Sequence, residues 1–155
     1  MEKESAMYKT ILVPLDGSKR AEAILSHVEE MANKLGARII LLTSIEEKLV
    51  NPGAMATSVI GYKDDDMVEQ TKIAKSYLQE VQTKLEQQGL KVSTTIIQGP
   101  PVEAILTVAT QENADLIAVA SHGRSGLGRV FYGSVAAGIM QRVDRPLLLI
   151  RAQEG

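Results

Sequence analysis

Apolar residues recur along the chain in two alternating rhythms. Lys9-Thr-Ile-Leu-Val-Pro-Leu15 is a short, nearly continuous apolar run, which predicts a strand covered on both faces. After the break at Asp16-Gly17-Ser18, the residues Ala21, Ile24, Leu25, Val28, Met31, Ala32 and Leu35 fall on one stripe at helical spacing. Asp16 or Ser18 can cap that helix, and Gly36 fits its stop. Arg38 to Ile45 predicts a second buried strand. A long helix is expected from Met67 to Gln88, with Ala74, Leu78, Val81 and Leu85 inward and Gly89 at its end. Val92 to Ile97 alternates as an edge strand with one wetter side does. Pro101 suits the first turn of a helix whose apolar face is Val102, Ile105, Leu106 and Ala109. Asp115 to Ser121 reads as another buried strand. A helix from about Gly133 to Asp144 carries Val135, Ile139, Met140 and Val143, and Pro146 to Arg151 is the last strand.

Strands alternating with helices predict a parallel sheet with helices on both faces. In such sheets the ligand sits beyond the carboxyl ends of the strands, where the winding direction switches. If the first and fourth strands are neighbours there, Asp16 and the turn at Ser121 to Gly123 face one crevice. The stretch from Glu46 to Asp66 has Pro-Gly punctuation, no sustained period and an acidic end, and is expected to be a loop, either a lid or an insertion.

Length and composition narrow the class. A chain of 155 residues is long enough for one domain with a real core. Residues 8–151 are expected to form it, with short tails at 1–7 and 152–155. The chain has no cysteine and two histidines, His27 and His122, so thiolate and histidine metal sites are not expected. A formal net charge of −2 argues against a general nucleic-acid surface. No apolar run is long enough to span a bilayer, and the charged start lacks the apolar core of a signal peptide. The expected location is the cytoplasm.

The candidate chemistry lies between Val119 and Val135, a stretch with four glycines, two arginines and three serines. Glycine lets a backbone approach a ligand closely. Successive N–H groups in such a turn, with the free N–H groups of the next helix, form a concavity for an anion. Arg124 and Arg129 add positive charge. A P-loop is excluded, because Gly123 to Gly128 continues with Arg129 and Val130 where Lys and a hydroxyl are needed. A dinucleotide fingerprint fails at Phe131, and a nucleophile elbow fails at Leu127. What remains is Gly123, nine residues, then Gly133-Ser134.

Four segments together resemble the universal stress protein family: I-L-V-P-L-D-G-S at 11–18, A-S-H-G-R-S-G-L-G-R at 120–129, Gly133-Ser134-Val135, and R-P-L-L-L-I-R at 145–151. The resemblance runs from Tyr8 to Arg151. It implies an open, Rossmann-like five-stranded parallel sheet of order 3-2-1-4-5, of the adenine nucleotide alpha hydrolase-like kind. It further implies a homodimer formed through the strand at 146–151 and an adenine nucleotide (ATP, ADP or AMP, with Mg2+ as an optional companion) in the crevice. Carried over residue by residue, Pro14 and Asp16 would lie by the base and ribose, and Ser44 and Val119 would border the adenine. Gly123, Gly133, Ser134 and Val135 would contact phosphates, and Leu15, Ala120 and Arg124 complete the expected nucleotide-binding set. Ala120 stands where the family's G-x-x-G begins, and Ser44 where a hydrophobic residue is usual; both are departures.

Each residue also has a simpler role open to it. Asp16 and Ser134 could be only helix caps. His122 has no fixed triad partner and reads as a loop histidine; His27 reads as a surface or boundary residue. Asp64-Asp-Asp66 suits the N-terminal end of a helix better than a metal site. Three functions compete: an adenine-nucleotide-binding regulatory protein, a nucleotide-free interaction protein of the same fold, and an enzyme. The intact Gly123 and Gly133-Ser134 favour the first. With no metal-ligand set or activated nucleophile to name, dedicated catalysis is the weakest, leaving at most slow ATP hydrolysis.

Overall fold

The computed structural model of the chain describes residues 7–46, 60–122 and 133–152. Among the described residues five strands and five helices follow one another: β1 (Thr10–Pro14), α1 (Lys19–Glu22), α2 (Leu25–Leu35), β2 (Arg38–Ile45), α3 (Ile60–Glu86), β3 (Val92–Gln98), α4 (Pro101–Gln111), β4 (Leu116–His122), α5 (Ser134–Arg142) and β5 (Leu147–Ala152). All described strand pairings are parallel, in the order β3-β2-β1-β4-β5. β1 and β4 are neighbours, with Ile11 opposite Leu116 and Leu12 opposite Ile117. The winding therefore switches direction between them, as the crevice argument requires.

Alternation along the strands divides the core into two layers. Ile11, Val13, Ile39 and Leu41 pack with Val28 of α2 and with Leu78, Val81 and Leu85 of α3. Leu12, Ile40, Leu42 and Val119 face the other way, onto Ile105 and Val108 of α4 and Ile139 of α5. Ile11, Leu12, Ile39 and Leu41 are each completely buried, which explains why their strands read as unbroken apolar runs. At the foot of the sheet, the Asp115 carboxylate accepts from the amides of Lys9 and Thr10 at 2.8 and 2.9 Å. Arg145 donates from Nη1 to the carbonyls of Ala109 and Ala114, both at 2.9 Å. That contact fastens the end of α4 to the approach to β5.

Several boundaries differ from the sequence expectation. The first helical stripe is interrupted after Glu22, where the amides of Ala23 and Ile24 bond three residues back, to Arg20 and Ala21. This tight turn separates α1 from α2 without changing the buried stripe, although Leu35 at its end is exposed. The loop expected at 46–66 does not reach Asp66: α3 already begins at Ile60. From Asp66 onward its first buried side chain is Ala74, so the turns between Asp66 and Ile73 carry no buried stripe to mark the helix. Residues 47–59 lie outside the described residues. The last strand runs on through Ala152, which is buried. Among the described residues no helix is long and apolar enough to cross a membrane.

Candidate functional site

The carboxyl end of β1 is clamped from β2. The amide of Leu15 donates to the Leu42 carbonyl at 2.8 Å, and the buried Thr43 hydroxyl donates to the Leu15 carbonyl at 2.9 Å. The chain then turns through Gly17, whose φ of 88° is natural for a residue without a side chain. Ser18, rather than Asp16, caps α1, accepting from the Ala21 amide at 3.1 Å. Asp16 braces the turn instead: its Oδ1 accepts from the Ser18 amide at 2.9 Å and from the Ser18 hydroxyl at 2.6 Å. Arg20 lies 3.4 Å from its Oδ2. Burial pushes the Asp16 pKa up, but the Ser18 hydrogen bonds and the Arg20 charge outweigh it and leave the pKa below the ordinary aspartate value.

On the far side of β1, Tyr77 of α3 donates to Glu22 of α1 at 2.8 Å. Burial, the Glu22 hydrogen bond and the nearby carboxylates of Glu22 and Asp16 raise the Tyr77 hydroxyl above the normal tyrosine range. The hydroxyl therefore stays a donor and ties the short α1 to the long α3.

The opposite wall is the start of α5. Gly133 is its N-cap, with φ 82° and ψ 154°, and no side chain caps the helix. A positive φ of this kind favours glycine. Ser134 is therefore the first helical residue, and its expected alternative role as the helix cap is not the one observed. Among the described residues its exposed hydroxyl has no protein partner. The first amides of α5 have no partners within the helix.

Between these walls lies a cleft of about 350 Å³, the size of a small-molecule site. Pro14, Leu15, Asp16, Ser44, Val119 and Ala120 line it, and so do Gly133, Ser134 and Val135 at the start of α5. These nine come from four separate parts of the chain, and all were singled out from the sequence. Gly123 and Arg124 lie outside the described residues. The cleft also takes in Arg20, Glu46, Pro101 and Ile105, which the sequence reading did not select. Arg20 had a local signal, its spacing of four residues from Asp16 across a helix start. Pro101 and Ile105 had none, because α4 reaches the cleft only through the packing of the sheet. Among the described residues, no three His, Asp or Glu side chains gather as a metal site.

Fold and site define an open α/β protein with a ligand-sized cleft at the switch between its first and fourth strands. The universal stress protein family model matches residues 7–151, and the chain belongs to that family. The universal stress protein MJ0577 of Methanocaldococcus jannaschii is 31% identical over 157 residues, spanning 95% of this chain and 97% of that protein. The solved structure of MJ0577 matches with a TM-score of 0.80 over 96% of this chain and 99% of that one. A universal stress protein solved in complex with cAMP shares the fold at 23% identity and a TM-score of 0.67, covering 96% of this chain and 100% of that one. One from Archaeoglobus fulgidus in complex with dAMP does so at 22% identity and a TM-score of 0.63, covering 93% and 98%.

Proposed function

We propose that the protein binds an adenine nucleotide in this cleft and acts as a regulatory sensor, working as a homodimer joined through β5. The observation that carries the reading is the uncapped start of α5. Gly133, Ser134 and Val135 line the cleft, where the first amides of α5 and the Ser134 hydroxyl have no partner among the described residues, an arrangement suited to phosphate. The apolar floor of Leu42, Val119 and Ile105 suits a flat base. Two proteins of this fold are known with cAMP and dAMP, so adenine nucleotides are the first ligands to test. Mg2+ is expected only as a companion of the phosphates, because Asp16 is already engaged by Ser18 and Arg20.

The chain has no tryptophan, four tyrosines and one phenylalanine, so its own absorbance near 280 nm is weak. A co-purifying nucleotide is expected to dominate the spectrum near 260 nm and to be released on denaturation. Calorimetric titration of emptied protein with ATP, ADP and AMP should show saturable binding of at least one. Binding of none would replace this reading with that of a nucleotide-free interaction protein.

A further inference from the structure

Among the described residues, three charged side chains line the cleft: Asp16, Arg20 and Glu46. Arg20 is the one cation of the three, and its surroundings leave it under-used. Its side chain is 25% exposed, against 60% for Asp16, so water screens its charge only in part. Among the described residues its guanidinium makes a single hydrogen bond, from Nη2 to Asp16 Oδ2 at 3.4 Å. That bond is long, and it uses one nitrogen where a guanidinium can grip a carboxylate with two. Most of its five N–H donors thus have no protein partner there. Asp16 is poorly placed to do more, since its other oxygen already serves the amide and hydroxyl of Ser18. The backbone beneath is held from both ends, by the Ser18 cap and by the Tyr77–Glu22 bond. The side chain can therefore swing without unravelling α1.

We propose that Arg20 is a specificity-determining residue that reads the negative charge of the ligand, exchanging its long contact with Asp16 for an anionic oxygen of a bound nucleotide's phosphates. The inference rests on the nucleotide reading above. Asp16 and Glu46 would repel every added phosphate, and Arg20 offsets that repulsion within the same cleft. Coulomb energy scales with ligand charge. The contribution of Arg20 therefore grows from adenosine, which carries none, through AMP and ADP to ATP.

The test is calorimetric titration of adenosine, AMP, ADP and ATP, without added metal, into wild type, Arg20→Gln and Arg20→Lys, with circular dichroism as the check on folding. For Arg20→Gln, adenosine affinity is expected to stay within about twofold while ATP binding falls by about tenfold or more, with AMP and ADP between. Arg20→Lys keeps the charge without the planar fork, so it should recover part of the ATP loss. If Arg20→Gln weakens all four ligands equally, Arg20 only shapes the wall and the proposal is overturned. It is also overturned if ATP binding is unchanged. Wild type that binds none of the four overturns the nucleotide reading and this inference together. Should Arg20→Gln fail to fold, Arg20→Met, which keeps the length of the side chain and removes its charge, decides: ATP must lose more affinity than AMP, with adenosine unchanged, and a uniform loss or none rejects the proposal.

Discussion

A Cβ placed on Gly138 would sit 2.7 Å from Cγ2 of Val102, so α5 lies against α4 at a separation open only to a residue without a side chain. Val102 cannot easily turn away, because a β-branched side chain on a helix has one strongly preferred rotamer. Both helices bring their first turns to the cleft, through Pro101 on α4 and Ser134 on α5. Their spacing therefore helps to set its width.

Gly138→Ala tests that contact. Alanine gains about 1 kcal/mol of helix propensity over glycine, while overpacking costs about 1–3 kcal/mol. The clash should win by about 1 kcal/mol, lowering the melting temperature by about 2–4 °C. Adding Val102→Ala to Gly138→Ala should recover part of the loss, as a favourable coupling in a double-mutant cycle. A Gly138→Ala protein that melts above wild type would show that the helices separate at little cost.

Ser134→Ala separates a capping role from a binding one. Because Gly133 is the N-cap and no side chain caps α5, the change should alter stability by less than about 0.5 kcal/mol. Affinity for an adenine nucleotide should fall by about tenfold, the loss of one hydrogen bond to a charged group. A large loss of stability with unchanged affinity would return Ser134 to a structural role.

Asp16 should leave a trace in the acid stability of the protein. Its pKa in the folded state is lowered from the ordinary 3.8. Its ionised form thus stabilises the fold at and above that ordinary value. The contribution is lost as pH falls below 3.8 and through the lowered folded value. Asp16→Asn should flatten the melting temperature against pH in this acid window and change its slope little above pH 5 or so. Parallel curves for wild type and variant throughout would contradict the Ser18 and Arg20 contacts as the cause.

β5 forms one edge of the sheet, and its Leu147, Leu148, Leu149 and Ile150 are each only half-buried. An apolar unpaired edge invites association, and pairing with its own copy across a two-fold axis would cover it. Sedimentation should show a dimer at about tens of micromolar, with Leu148→Lys shifted toward monomer or aggregate. Wild type that sediments as a monomer at that concentration rules out the β5 homodimer.

The sensor role proposed above predicts ATP turnover slower than about 1 per second, the lower end of typical enzyme rates. A metal-dependent rate above that, lost in Asp16→Ala, would favour the enzyme reading.

The sequence by itself determined the elements whose two faces differ. Ala74, Leu78, Val81 and Leu85 mark α3 because one side of a helix packs on a sheet and the other meets water. The runs around Ile11 and Ile39 mark central strands because both of their faces are buried. It also marked the nine cleft residues that stand at strand ends and helix starts, where Asp, Gly and Ser break the apolar rhythm. Pattern did not locate the start of α3 at Ile60, since no side chain from Asp66 to Ile73 is buried to extend the stripe, nor the tight turn at Ala23, which leaves the stripe in phase.

Only the tertiary structure decided between the alternatives that one residue type leaves open. Serine and aspartate can each cap a helix or face a ligand, and spacing suits both roles. The positive φ of Gly133 makes that glycine the N-cap of α5, which leaves the Ser134 hydroxyl unused in capping, while Ser18 takes the cap of α1 and turns Asp16 toward Arg20. Arg20, Glu46, Pro101 and Ile105 enter the cleft because β1 lies between β2 and β4 and the helices pack on both faces of the sheet. Those contacts join segments tens of residues apart, and the local apolar period, which depends only on neighbours along the chain, carries no record of them.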